Sequence, residues 1–206
     1  MKLLNYLLVV FLFVSSCKKD AEEEAPVLPN DYGSGMYIVT ENGISFYNNT
    51  DSLAEVQNQI FKSVNNSTII NPKKIKFHGT KAYIIADNYI LTVNVKTFEN
   101  KEEINGFTNP VDIDFISNDR IFVIDKGDSK VKGVDMTSLD ITSQIETGDS
   151  TSPVFIVSNS YKSFVLNGGG NANQIKDSIV VVIEFRDDLV ALADFTGNLQ
   201  VGDNPN

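Results

Sequence analysis

The chain has 206 residues, with 27 acidic and 17 basic side chains and a formal net charge of −10. Its largest basic cluster, Lys73, Lys74 and Lys76, lies inside a predicted strand. Nucleic acid is therefore excluded as an expected partner, because phosphate binding requires a basic face. Cys17 is the only cysteine, which excludes a disulfide within the chain.

The N-terminal residues 1–16 are predicted to be a lipoprotein signal peptide. Lys2 precedes an apolar run over residues 3–14, which is shorter than the roughly 20 residues that span a bilayer. The boundary V-S-S-C at residues 14–17 resembles the lipobox that lipoprotein signal peptidase cleaves. That resemblance implies that Cys17 becomes the mature N-terminus and carries lipid. A plain secretory peptide with an unmodified cysteine is the alternative.

Residues 17–35 are predicted to form a disordered tether after the lipidated cysteine. The segment is rich in charge, proline and glycine and poor in apolar residues. Its K-K-D-A-E-E-E stretch resembles the surface-export signals of lipoproteins in the Bacteroidota. The resemblance implies a protein at the outer face of the outer membrane, held by lipid, whereas the alternative is a generic solvated tether.

The remaining residues repeat one pattern at a period of about 40–50 residues. Proline recurs at Pro72, Pro110, Pro153 and Pro205, and an isoleucine stands three residues after each of the first three. Alternating apolar segments then follow in the same order in each unit. They predict second strands at 81–87, 119–125 and 163–167, third strands at 90–97, 131–138 and 181–186, and fourth strands at 102–106, 143–148 and 198–202.

This pattern predicts an all-β fold, a β-propeller of four-stranded blades with about four units present. The units are a partial blade at 36–70 and blades at 71–108, 109–151 and 152–203. No helix longer than about two turns is expected after the signal peptide, and residues 51–61 are predicted to form an outer strand.

The junction G-D-N-P at 202–205, the I-x-F strands and the apolar runs ending in Asp or Asn resemble those of YVTN-repeat (YncE-like) β-propellers. Many outer-membrane lipoproteins of the Bacteroidota carry such a domain. Since that family closes with six to eight blades, the chain is interpreted as the N-terminal part of a larger propeller. The alternative is that four units close alone.

The sequence predicts no catalytic residue, metal site or cofactor. His78 is expected to be a solvated turn residue. Asp112 and Asp114 take the same places in their strand as Lys74 and Lys76 in the preceding unit, which indicates a solvated or channel-lining face. The Asp- and Gly-rich segments lack an EF-hand pattern and are interpreted as turns. The Gly-rich segment 167–174 lacks a P-loop lysine and is interpreted as a flexible loop.

Two sets of modification or binding residues are predicted. The blade junctions and the ends of the second strands should meet on one rim near the central channel. We call these residues the candidate rim: Glu41, Asn71, Asp87, Asn109, Asp125, Ser152 and Asn167. The rim is expected to be acidic, suited to a cation, a sugar or a basic protein, although such residues commonly close their own turns. Three Asp-Ser motifs resemble the Bacteroidota O-glycosylation pattern, at Ser52, Ser150 and Ser178.

The function expected from these features is a non-enzymatic, surface-anchored propeller lipoprotein that binds or scaffolds. Family context implies an outer-membrane protein complex as partner, such as a SusC/SusD-like TonB-dependent transporter, or a surface glycan. The alternative is a propeller enzyme, of lactonase or glycan-cleaving type, with its site on the same rim.

Overall fold

The computed structural model describes residues 31–148, 152–159, 161–168, 179–184 and 194–200. The predicted signal peptide, Cys17, most of the Gly-rich segment 167–174 and two of the Asp-Ser serines, Ser150 and Ser178, lie outside the described residues. The elements are β1 Met36–Thr40, β2 Gly43–Tyr47, α1 Ile60–Asn65, β3 Lys74–His78, β4 Lys81–Ile85, β5 Ile90–Asn94, β6 Asn100–Ile104, β7 Pro110–Ser117, β8 Arg120–Asp125, β9 Lys130–Asp135, β10 Ile141–Glu146, β11 Pro153–Ser158, β12 Lys162–Asn167, β13 Ile179–Glu184 and β14 Asp194–Gln200.

These strands form antiparallel sheets in which chain neighbours are also neighbours in space. The first sheet has two strands, β1 and β2, and the second, third and fourth sheets have four strands each, β3–β6, β7–β10 and β11–β14. Short polar turns join the strands, which is the arrangement that four-stranded propeller blades require. The predicted all-β fold of repeated four-stranded units is confirmed.

Neighbouring sheets pack face to face through alternate side chains of their second and third strands. In β4, Ala82 and Ile84 pack in the core between the first and second sheets. Tyr83 and Ile85, which alternate with them, pack in the core between the second and third sheets. Successive side chains of a strand point to opposite faces, so β4 contributes to two interfaces. Its sequence is therefore a continuous apolar run.

The segment 51–61 departs from the prediction of an outer strand. Only Gln57 bridges to Phe46 of β2, and the chain then turns into α1, whose Ile60 and Phe61 are buried in the first core. Apolar and polar residues do not alternate in this segment, and Ile60 and Phe61 are adjacent. A strand would point the two side chains to opposite faces, whereas a short helix buries both. Among the described residues no helix is long and apolar enough to cross a membrane, and α1 has six residues.

Two turns between third and fourth strands are built in the same way. The side chain of Asn94 accepts hydrogen bonds from the N–H groups of Lys96 and Thr97 at 2.8 and 3.1 Å. Asp135 does the same for Thr137 and Ser138 at 2.7 and 3.1 Å. Asparagine and aspartate favour such turns because their short side chains replace a backbone acceptor. The repeat in sequence is therefore a repeat in local structure.

Gly106 and Gly148 occupy the same place at the end of two units. Their φ angles are +97° and +112°, which side chains with a Cβ rarely adopt. A glycine at the end of each unit therefore allows the chain to turn from the outer strand toward the next inner strand.

The first strands of the last three sheets lie side by side, since β7 contacts both β3 and β11. Asp112 of β7 is fully buried and links all three strands. Its Oδ1 lies 2.9 Å from the Lys74 Nζ and 3.0 Å from the Lys76 Nζ of β3. Its Oδ2 accepts a hydrogen bond from the N–H of Ile156 in β11 at 3.1 Å.

Asp114 extends the same connection by accepting a hydrogen bond from the N–H of Ser158, and Lys76 donates to the carbonyl of Ile113. We call Lys74, Lys76, Asp112 and Asp114 the inner-strand relay. The expectation of a solvated face was wrong for Asp112, which is enclosed by the neighbouring strands.

We expect Asp112→Ala to lower the free energy of unfolding by about 3 kcal/mol, because removing one partner of a buried ionic contact leaves the others unpaired. Urea unfolding followed by circular dichroism measures the change. The matched control is Asp140→Ala, at an exposed aspartate, and it should change stability by less than about 0.5 kcal/mol. Equal stabilities of the two variants would contradict a structural role for the relay.

Candidate functional site

The candidate rim lies where the second strands end and the chain enters each sheet. Asp125 is its best-defined member and is fully buried. Its two carboxylate oxygens accept hydrogen bonds from the backbone N–H groups of Thr108 and Asn109 at 2.8 and 2.7 Å. A second-strand side chain thus fixes the segment that leads into the first strand of the same sheet.

Lys132 of β9 completes this contact. Its Nζ lies 2.6 Å from Asp125 Oδ2 and 2.9 Å from Asp128 Oδ2. It also donates to the carbonyl of Gly106 at 3.1 Å and lies 5.7 Å from the centre of the Phe107 ring. Sequence reasoning missed Lys132, because nothing in the spacing of its neighbours relates it to Asp125.

Burial and pairing act in opposite directions on these two groups. Burial would raise the pKa of Asp125, but hydrogen bonds from Lys132, Thr108 and Asn109 outweigh it and hold that pKa below its usual value. Burial would lower the pKa of Lys132, but hydrogen bonds to Asp125 and Asp128 raise it above its usual value. Both groups are therefore held in their charged forms.

The corresponding positions of the other sheets repeat the contact in weaker form. Asp87, just after β4, donates its N–H to the carbonyl of Ile70 at 3.1 Å and accepts a 3.3 Å hydrogen bond from Asn71 Nδ2. Asn167 of β12 is buried and donates to the carbonyl of Thr147 at 3.3 Å. Next to it, the N–H of Gly168 donates to the carbonyl of Ser152 at 2.6 Å.

Lys73 joins the rim of the second sheet to that of the third. Its Nζ donates to the carbonyls of Asp87 and Pro110 at 2.7 and 3.0 Å and to Asn109 Oδ1 at 2.6 Å. Burial lowers the pKa of Lys73, and the charges of Asp87 and Asp125 oppose that shift. With Lys73 and Lys132 among its carboxylates, the rim is less acidic than the sequence predicts.

The seven rim residues differ in how much they offer to a partner. Asp125 and Asn167 are buried, Asn109 and Ser152 are half-buried, and Glu41, Asn71 and Asp87 are exposed. Glu41 follows β1 in the turn to β2. The structure thus joins Asn71 with Asp87, and Asn109 with Asp125, and leaves three exposed polar side chains for contact.

His78 is not the solvated turn residue that the sequence predicts. It is the last residue of β3, half-buried, and its ring stacks on Phe115 with 4.3 Å between centroids and 13° between planes. The turn begins only at Gly79, whose φ is +58°. Phe115 comes from the next sheet, so the local sequence around His78 could not reveal the contact.

Ser52, the described member of the three Asp-Ser motifs, lies in an exposed turn. The Asp51 carboxylate accepts a hydrogen bond from the N–H of Leu53 at 2.9 Å, and Leu53 is 87% exposed. The hydroxyl of Ser52 is thus open to a modifying enzyme. Within the described part of the chain, no group of three or more His, Cys, Asp or Glu side chains is placed to hold a metal ion.

No family model and no curated protein matches the chain. Solved structures, in contrast, do match the chain. A quinoprotein alcohol dehydrogenase-like protein from Bacteroides thetaiotaomicron superposes with a TM-score of 0.58 at 14% identity, over 75% of this chain and 37% of that one. The WD40 domain of Neurospora crassa Pan2 superposes with a TM-score of 0.58 at 10% identity, over 83% and 47%.

The dihydro-heme d1 dehydrogenase NirN superposes with a TM-score of 0.59 at 10% identity, over 87% of this chain and 38% of that one. The chain thus spans less than half the length of these three structures. At such identities the likeness concerns the fold alone. Together with the four-stranded antiparallel sheets, it identifies the class of protein: the chain has a β-propeller fold.

The lowered pKa of Asp125 predicts how stability depends on pH. A carboxyl whose pKa is depressed in the folded state contributes stability above its unfolded pKa, and the contribution is lost as pH falls through the folded value. We expect Asp125→Asn to lose about 2 kcal/mol at neutral pH. The difference from the native protein should shrink as pH falls below about 4.

Urea unfolding at successive pH values measures this difference. The control is Asp140→Asn, because Asp140 is exposed, and its difference from the native protein should stay near zero throughout. A cost of Asp125→Asn that does not change with pH would contradict the ionic role of Asp125.

Proposed function

We propose that the chain is a non-enzymatic binding or scaffold module, anchored to the outer membrane by lipid on Cys17 and exposed at the cell surface. The observation that carries the proposal is the V-S-S-C boundary and charged tether in front of a propeller fold. Lipid contributes about 0.8 kcal/mol per buried CH₂ group, which anchors stably once more than one chain is attached.

The partner we propose is an outer-membrane protein complex that contains a SusC/SusD-like TonB-dependent transporter, with a surface glycan as the second candidate. The resemblance to YVTN-repeat lipoproteins of the Bacteroidota supports this partner. The exposed members of the candidate rim, Glu41, Asn71 and Asp87, are the contact residues that we propose. Their mixture of carboxylate and amide groups, beside Lys73, suits a polar protein surface.

The alternative, a propeller enzyme, needs acid side chains that converge on a substrate. The buried rim carboxylate, Asp125, already accepts hydrogen bonds from Lys132 and from two backbone N–H groups. Such a carboxylate is poorly placed to take up a substrate proton. We therefore favour binding over catalysis.

Acylation of Cys17 is tested by mass spectrometry of the native protein and by fractionation of Cys17→Ser. We expect a mature N-terminus at Cys17 that carries lipid, and we expect Cys17→Ser to leave the membrane fraction. Trp-free and single-cysteine composition simplifies the peptide assignment. An intact Met1, or a free thiol at Cys17 after cleavage elsewhere, would contradict the anchor.

The partner is tested by affinity purification of the lipidated chain from native membranes, followed by mass spectrometry. We expect transporter subunits to co-purify, and Glu41→Arg with Asp87→Arg to reduce their yield several-fold because two rim charges are reversed. The matched control, Glu55→Arg with Asp140→Arg, reverses two exposed charges elsewhere. Equal losses in the two variants, or full retention by the rim variant, would refute the rim as the contact surface.

A further inference from the structure

A pocket opens at the ends of the second and third sheets that lie opposite the candidate rim. It has a volume of about 290 Å³. The chain enters β4 at Lys81 and reaches the rim at Asp87, so the two ends of that strand separate the pocket from the rim. The lining residues used below are His78, Lys81, Tyr83, Asp119, Met136 and Thr137.

Tyr83 supplies an unused hydrogen-bonding group. The residue is 4% exposed, and its ring packs against Phe115 with 5.0 Å between centroids. Its hydroxyl makes no hydrogen bond within the described part of the chain, and it is not fully enclosed by protein. A polar group that enters the pocket can therefore replace water on this hydroxyl without competing with a protein partner among the described residues.

His78 provides a flat wall beside this hydroxyl. One face of its ring is covered by Phe115, and the residue lines the pocket together with Met136. The wall is thus a supported, nearly flat ring next to a thioether. Flat and apolar walls of this kind, with few polar groups, are typical of small-molecule sites.

One carboxylate at the pocket has no cationic partner among the described residues. Lys81 Nζ lies 2.7 Å from Glu102 Oε2 and is thereby neutralised. Asp119 accepts a hydrogen bond from the Ser117 hydroxyl through Oδ1 at 2.6 Å, and its other oxygen has no partner within the described residues. The pocket therefore offers a hydroxyl donor, a carboxylate acceptor and a flat wall, and its one unpaired carboxylate disfavours an anionic ligand.

We propose that this pocket binds a neutral sugar ring, such as one residue at the end of a glycan. A pyranose ring presents hydroxyl groups at its edge and C–H groups on its face, which match Tyr83 and Asp119 on one side and His78 on the other. A volume near the lower end of ligand pockets, about 300–1,000 Å³, accommodates one ring. The site needs neither the lipid anchor nor the candidate rim, so it goes beyond the function proposed above.

The test is saturation-transfer difference NMR with the full chain in detergent micelles. The probes are D-glucose, D-galactose, D-mannose and N-acetyl-D-glucosamine, with D-glucuronate as the charged comparison. We expect saturable binding of at least one neutral sugar and weaker binding of glucuronate. Tyr83→Phe, which keeps the ring and removes only the hydroxyl, should weaken that binding about five-fold, the usual effect of one neutral hydrogen bond.

The matched control is Tyr161→Phe, because Tyr161 is 70% exposed, lies just before β12 and does not line the pocket. It should leave the affinity unchanged, and urea unfolding of both variants checks that each is folded. His78→Ala should also weaken binding, since it removes the flat wall. Absence of saturable binding by every neutral sugar, equal effects of Tyr83→Phe and Tyr161→Phe, or preference for glucuronate would overturn the proposal.

Discussion

The carboxylate of Asp112 is the contact on which the arrangement of the sheets depends. The first strand of each sheet has an edge whose N–H and C=O groups no further strand of that sheet can pair. Lysines of the second sheet reach the carboxylate and a carbonyl of β7. Aspartates of β7 in turn accept N–H groups of β11. The first strands β7 and β11 are thus contacted by side chains of the sheet before them, and these contacts hold the last three sheets next to one another.

That constraint also explains why several rim side chains are engaged in holding the backbone. The inner-strand relay forms only if the first strand of each sheet begins at a fixed position relative to the first strands of the neighbouring sheets. Asp125 and Lys132 fix that position in the third sheet through hydrogen bonds to residues 106–109. Lys73 links the second sheet to the same segment through Asn109. Side chains that satisfy backbone groups are not free to bind. At the opposite ends of the sheets the turn side chains Asn94 and Asp135 satisfy backbone groups within their own turns, whereas the Tyr83 hydroxyl has no partner among the described residues.

The sequence predicts the strands well, because each depends on local alternation and on a repeat that is visible within one chain. The third strands were predicted to run to residues 97 and 138, but they end at Asn94 and Asp135, where each polar side chain caps a turn. The sequence could not predict contacts that depend on how strands are placed beside one another. His78 meets Phe115, and Asp125 meets Lys132, only because of the angle between packed sheets or the twist within one. Segment 51–61 was wrongly predicted to form a strand because of its position in the repeat, whereas burial of Ile60 and Phe61 favoured a helical turn.

In the fourth sheet, apolar residues take the places that charged residues of the inner-strand relay occupy in the second and third sheets. Phe155 and Val157 occupy in β11 the positions of Lys74 and Lys76 in β3 and of Asp112 and Asp114 in β7. The Nζ atoms of Lys74 and Lys76 lie 5.8 and 5.9 Å from the centre of the Phe155 ring, a distance at which a ring face attracts a cation. The two ammonium groups therefore lie between a carboxylate and an aromatic face, and the charges balance within three sheets. This contact joins the first strands and includes neither the exposed rim residues nor the residues that line the pocket.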